Sequence, residues 1–334
     1  MTFKQKQAQI TSSAQPTRAV CPLATALLAT VLLTTGAVLP ASLLQHTDAA
    51  STGTTQATTS SANAQKAYNL FVQQLQKPAT FAQARATLMK SIAQFDRNRA
   101  SLAVLQLENA YNKHRSFADQ LLSQSSVYEA LEKVYEPGMT MKQAAAAVKG
   151  KTARQALQQL SDMGYRLQTV EGSFYPDIDY PAFSPLLAYV TPDIRDYMNI
   201  MATEAKAPTT DDNGIIITPT ELLKRGLAIE SFVNTYATSN RRADMVRQYK
   251  NIQLNIFYGA LNTPVFDYDT LKMDAEFAAD YRKVLASYNA TQIKQSAILT
   301  NLSDLFQLLK QTNGKQTDKV TQFLKQRLGE GKPF

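Results

Sequence analysis

The chain has 334 residues, 44% of them hydrophobic, and a net charge of +8 from 35 basic and 27 acidic side chains, with one cysteine and two histidines. That length and apolar content suffice for the packed core of one or two domains. A single cysteine excludes a disulfide framework and two histidines exclude a His-rich zinc centre, so no metal and no cofactor is expected.

Lys4, Lys6 and Arg18 are the only charges ahead of an apolar run from Ala19 to Leu44. A basic, acid-free start keeps the N-terminus cytoplasmic and sends the rest of the chain across the membrane. Residues 1–50 therefore read as a signal peptide or an N-terminal membrane anchor, with residues 19–44 as the membrane partner. Pro22 and Pro40 trim the comfortable helix to Leu23–Leu39, between the length of a signal core and that of a span, and Thr47-Asp48-Ala49 offers small residues to a signal peptidase. Cleavage and retention both stay open. Cys21 precedes the apolar run instead of closing it and reads as a small apolar residue at the membrane edge. Without residues 1–50 the chain keeps 32 basic and 26 acidic residues, a net charge of +6. Such a surface suits an anionic cell-wall polymer or a solvated exterior, and nucleic acid is not an expected partner outside the cytoplasm.

Residues 51–63 hold Ser, Thr, Ala, Gly, Gln and Asn with nothing large to bury, and are expected to stay a disordered tether. Helical periodicity starts near Ala64. Leu88, Ile92, Phe95, Leu102 and Leu105 recur as one face of a helix expected from about Phe81 to Ser116, with Arg85, Lys90, Arg97 and Lys113 opposite. His114 falls on the polar side of that helix and reads as solvated, not as the base of a Ser-His-Asp triad. Further helices are expected over 140–149, 192–205, 219–237, 241–261, 271–288, 291–311 and 315–328. Thr218-Pro219-Thr220-Glu221 signals a capping box with proline at the first helical position, Thr191-Pro192-Asp193 repeats the logic, and Thr140 with Gln143 is a third start. Only Tyr165–Val170 and Gly214–Ile217 look strand-like, and they are expected to pair as a ribbon. The fold class is thus all-α, a multi-helix ectodomain with at most a short β-ribbon behind an N-terminal membrane or signal helix. A helical N-terminal half covers 64–163 and a C-terminal half covers 164–334.

Residues 164–204 concentrate aromatics, prolines and acids. Phe174, Tyr175, Asp177, Asp179 and Tyr180 are the ligand-binding candidates, because rings stack on sugar faces while carboxylates bind hydroxyls. The same residues also suit a loop pinned to the core, since Pro176, Pro181 and Pro185 preclude a continuous helix. Asp177 and Asp179, at i and i+2, would face one side of an extended chain. Glu171 with Asp179 would be the carboxylate pair of a glycan hydrolase, one acid kept protonated by burial. In Asp267-Tyr268-Asp269, Asp269 or Thr270 is expected to cap the next helix. Asp211-Asp212-Asn213-Gly214 resembles the middle of an EF-hand loop, but Thr209 and Thr220 fall where the first and last ligands belong, so the match fails. No glycine-rich phosphate loop is present.

Glu171, Gly172, Phe174, Pro176, Ile178, Asp179 and Tyr180 form the pattern EG.F.P.IDY. In it, and through Thr191–Glu204, Phe257-Tyr258-Gly259 and Asn262-Thr263-Pro264, the chain resembles a group of exported, helix-rich envelope proteins of spore-forming Gram-positive bacteria. The resemblance implies export, a helical fold and such an origin, and names no substrate. The expected function is a non-catalytic binding or structural module of the cell envelope, secreted or membrane-anchored. The alternatives are a wall-glycan hydrolase using Glu171 and Asp179, and an assembly spacer whose helical surfaces meet another envelope protein.

Overall fold

A computed structural model describes residues 54–170 and 172–329, with side chains from Ser61 onward. Helices make up most of it, and the described residues from Thr59 to Gly329 belong to one compact unit. Among the described residues no helix is long and apolar enough to cross a membrane; residues 19–44 lie outside them.

The first helix, α1, spans Thr54–Gln74, so much of the expected tether is helical. Between Gly53 and Pro78 the sequence has no glycine or proline to stop a helix, and extending one already anchored by buried Ala64, Phe71 and Leu75 costs far less than nucleating one. Helix α2 (Pro78–Ser91) starts on proline and buries Phe81, Ala84 and Leu88 at helical spacing. The single helix expected over 81–116 is broken. A 3-10 turn at Ile92–Gln94 leads to an extended Phe95, and the Asp96 carboxylate accepts from the Arg99 N–H at 2.9 Å to start α3 (Arg97–Lys113). The break rotates the apolar stripe, leaving Leu102 46% exposed. His114 joins α3 to α4 (Arg115–Leu122) and is buried, not solvated: its Nε2 donates to the Leu75 carbonyl at 2.8 Å and its ring meets Phe81.

Helices α5 (Ser125–Glu132), α6 (Met141–Ala147) and α7 (Lys151–Met163) complete the N-terminal part. Thr140 and Gln143 make the one complete capping box among the three anticipated starts. At Thr218 the hydroxyl accepts from the Glu221 N–H at 3.2 Å while the Glu221 carboxylate turns to Arg225, and Thr191 makes no side-chain cap. Strands β1 (Tyr165–Val170) and β2 (Ser173–Ile178) pair antiparallel, from Tyr165 opposite Ile178 to Val170 opposite Ser173. The expected ribbon with 214–217 is therefore not made. Gly172, at φ +78°, turns the chain back within two residues, so the nearest neighbour in sequence takes the partner's place.

After a 3-10 segment (Tyr180–Leu186) come α8 (Pro192–Lys206), the small hairpin β3 (Thr210–Asp211) and β4 (Gly214–Ile215), and α9 (Pro219–Thr235). Asp212 and Asn213 both have positive φ, the requirement of a type I′ turn, and this accounts for the acid-Asn-Gly run at 211–214. Helix α10 (Arg242–Phe257) leads to a third hairpin, β5 (Gly259–Ala260) and β6 (Thr263–Pro264). Its Asn262 reaches the β3–β4 turn through Nδ2 to the Asp212 carbonyl at 2.6 Å. Asp274, not Asp269 or Thr270, caps α11 (Ala275–Leu285); the Asp267 carboxylate holds the N–H groups of Asp269 and Thr270 in the preceding turn. The stretch expected as one helix over 291–311 divides at Ser296 into α12 (Ala290–Gln295) and α13 (Ala297–Gln311), and α14 (Asp318–Leu328) follows.

Candidate functional site

The aromatic and acidic candidates from the 164–204 segment do not converge on one cavity. Phe174 sits edge-on between Tyr128 and Tyr135, with ring centroids 5.3 and 5.0 Å away. Tyr175 lies under the Arg115 guanidinium, and burial together with the Asp177 charge raises its hydroxyl pKa. Asp177 is ion-paired across the hairpin with Arg166, at 2.6 Å to Nη2 and 3.0 Å to Nε. Arg166 also donates to the Ala205 carbonyl near the end of α8 and so ties the hairpin to that helix. Asp179 is half-buried just past β2, where its carbonyl accepts from the Ala182 N–H at 3.0 Å; it does not share an extended face with Asp177. Glu171 lies outside the described residues.

Tyr180 turns inward to a carboxylate that sequence reasoning missed. Glu108, on α3, is 2% exposed. Its Oε1 accepts from the Tyr180 hydroxyl at 2.8 Å and the Tyr197 hydroxyl at 2.5 Å, and its Oε2 from Arg241 Nη2 at 2.5 Å and Nε at 3.1 Å. Burial, then the Glu108 charge, push both tyrosine pKa values well above the usual phenol range. Burial works against the Arg241 charge, but Glu108 outweighs it and the net shift is upward. Arg241 is thus part of an internal knot. The sequence signal was an acid on the apolar stripe Val104, Leu107, Glu108, Tyr111. Glu230 on α9 is a second buried carboxylate. It accepts from the Tyr249 hydroxyl at 2.6 Å, from Ser296 Oγ and from the Ile298 N–H at 3.1 Å, capping α13 from a neighbouring helix.

The cleft that could hold a ligand is elsewhere, between α8, α9 and α10, with a volume of about 290 Å³. Ile200, Met201, Ile229 and Ile252 supply apolar lining, and Gln248, Asn251 and Asn255 line it from α10. A second groove shares Ile200 and Ala228 with it and continues between α8 and α9 towards Asp196 and Tyr236. The charges beside the cleft are occupied. Arg225, 8% exposed, donates to Glu204 at 2.9 Å, Glu221 at 3.1 Å, the Ala207 carbonyl at 2.6 Å and Thr209 Oγ1 at 3.1 Å. Glu204 in turn accepts from the Thr209 N–H at 2.8 Å and hydroxyl at 2.6 Å. What remains is uncharged: Gln248 donates only to the Met201 sulfur at 3.4 Å, a weak acceptor. Among the described residues no three His, Cys, Asp or Glu side chains gather as metal ligands.

Comparison of the chain with family models, with curated proteins and with solved structures gives no significant match.

Proposed function

We propose that the protein is an exported or membrane-anchored envelope protein, N-terminus inside, that acts as a non-catalytic binding module through the α8–α9–α10 cleft. Export is supported by the basic start and the apolar run at 19–44, and by the likeness of residues 171–180 to exported envelope proteins. The observation that carries the binding reading is the state of the charges around the cleft. Arg225 is fully engaged by Glu204, Glu221, the Ala207 carbonyl and Thr209, so the lining offers shape, neutral hydrogen bonds and the ion-paired Glu204 carboxylate instead of an unpaired cation or a nucleophile with a base beside it.

Cosedimentation of the full chain, in mild detergent, with purified cell-wall sacculi at low and high salt tests this reading. Ala228→Phe, at a position shared by the cleft and its neighbouring groove, serves as the blocked variant. Pelleting at both salts that Ala228→Phe abolishes is the expected result. Pelleting lost at high salt in both proteins would assign binding to the net +6 surface, and no pelleting at either salt would refute an envelope-binding cleft.

A further inference from the structure

The carboxamides on α10 define what kind of molecule the cleft takes. Gln248, Asn251 and Asn255 follow one another at spacings of three and four, on one face of the helix. Asn251 and Asn255 make no side-chain hydrogen bond to another described residue, and Gln248 touches only a thioether. None of them caps a helix end. Asn251 is exposed and Asn255 half-buried, so both carboxamides stand open to a partner from outside the chain, at a helix-propensity cost of up to ~0.7 kcal/mol each.

We infer that the cleft binds an uncharged peptide in extended conformation, laid along α10 with an aliphatic side chain in the pocket. This rests on the cleft being the binding site of the protein. A carboxamide is matched to a peptide group, since its Nδ2 donates to a carbonyl while its Oδ1 accepts from an N–H. Asn251 and Asn255 are separated by a rise of about 6 Å, and an extended peptide repeats a same-side backbone group every ~6.6–6.8 Å. Each carboxamide therefore meets one peptide unit. No aromatic ring lines the cleft, which removes the stacking platform a sugar would need, and Arg225 is consumed by two carboxylates, Glu204 and Glu221, so the group keeps a net negative charge that disfavours an acidic ligand and offers no free cation to one. The apolar lining by Ile200, Met201, Ile229 and Ile252 receives the side chain.

The test is fluorescence polarisation with the full chain in mild detergent and a fluorescein-labelled, C-amidated Ala-Leu-Ala-Leu-Ala probe. The competitors are the N-acetylated, unlabelled peptide, its counterpart N-methylated at alternate amides, and chitotriose. Saturable binding is expected, displaced by the unmethylated peptide alone. The double variant Asn251→Ala/Asn255→Ala should bind at least about tenfold more weakly. Its melting temperature should stay at or above that of the parent, because alanine is the better helix former, and this separates lost contacts from lost fold. Unchanged affinity in the double variant, displacement by chitotriose, or absence of saturable binding would each overturn the inference. Ala228→Phe-sensitive pelleting with sacculi alongside a failed peptide assay would remove the ligand class and leave the cleft as a binding site; failure of both would remove the cleft as well.

Discussion

Replacing Glu108 by alanine should cost about 3–5 kcal/mol of stability, the range for breaking a buried ion pair from one side. The carboxylate is 3% exposed and its Arg241 partner 14%, so neither group can turn to bulk water when the other is removed. Two tyrosine hydroxyls lose the same acceptor, and each buried donor left without one adds up to ~1–3 kcal/mol. Asn109, at 2.9 Å from Arg241, and Asp244, at 3.9 Å, remain beside the guanidinium and offset part of the loss, so we place the total within the range for the pair. Against a typical stability of ~5–15 kcal/mol this is a large fraction. Urea unfolding followed by far-UV circular dichroism, in mild detergent, measures it for Glu108→Ala, Arg241→Met and the double variant. The double variant removes both charges at once and should lose clearly less than the two single losses added, with a coupling of about 2–3 kcal/mol. A coupling below ~0.5 kcal/mol, or a Glu108→Ala loss under ~1 kcal/mol, would show that the knot does not hold these segments together.

Alkali should unfold the protein cooperatively. Tyr111, Tyr165, Tyr180, Tyr197, Tyr249 and Tyr281 all have pKa values raised first by burial, so above the unfolded value of ~10 the unfolded chain releases protons that the native one keeps. Their contribution is complete below pH ~10 and falls as pH rises towards the folded values, by up to ~1.4 kcal/mol per tyrosine per pH unit. Absorbance at 295 nm should therefore show these phenols ionising together with loss of helix; smooth titration near pH 10 with the fold intact would contradict their burial. Leu271 is 47% exposed yet held at φ +57°, a conformation that costs a non-glycine residue ~1–2 kcal/mol. Leu271→Gly should raise stability by about 0.5–1 kcal/mol after the entropy cost of glycine, or ~1–4 °C in melting temperature, and a fall would mean that its side chain packs against something.

Local chemistry carried most of what was legible in the sequence. Pro192 and Pro219 mark helix starts because a missing N–H costs nothing in the first turn, and the Thr140–Gln143 pair marks one because it supplies partners to the first turn's free N–H groups. The β1 strand was legible from Tyr165 to Val170 by its β-branched and aromatic content beside Gly164. Periodicity failed at Phe95–Asp96 and at Ser296 because apolar residues are frequent enough on both sides of a short break to continue a 3.6-residue pattern, as Leu102 does although the break turns it out to solvent. The burial of His114 and Glu108 was illegible for another reason. Their partners, Leu75 and Arg241, are distant in sequence, and a single chain does not state which polar residues meet. The 164–180 aromatics drew attention by composition, yet their contacts are those of a hairpin fixed to the core, whereas the carboxamides of α10 look in sequence like any polar helix face until α8 and α9 close around them.

The Glu108–Arg241 contact also imposes an order on synthesis. Glu108 is made 133 residues ahead of Arg241, roughly 7–27 s at ~5–20 residues per second. For that interval the α3 stripe contains a carboxylate with no cation to neutralise it, so the early helices cannot close into a finished core by themselves. A part of the chain made later is needed to complete a part made earlier. A chain that stops short of Arg241 leaves Glu108 without its cation.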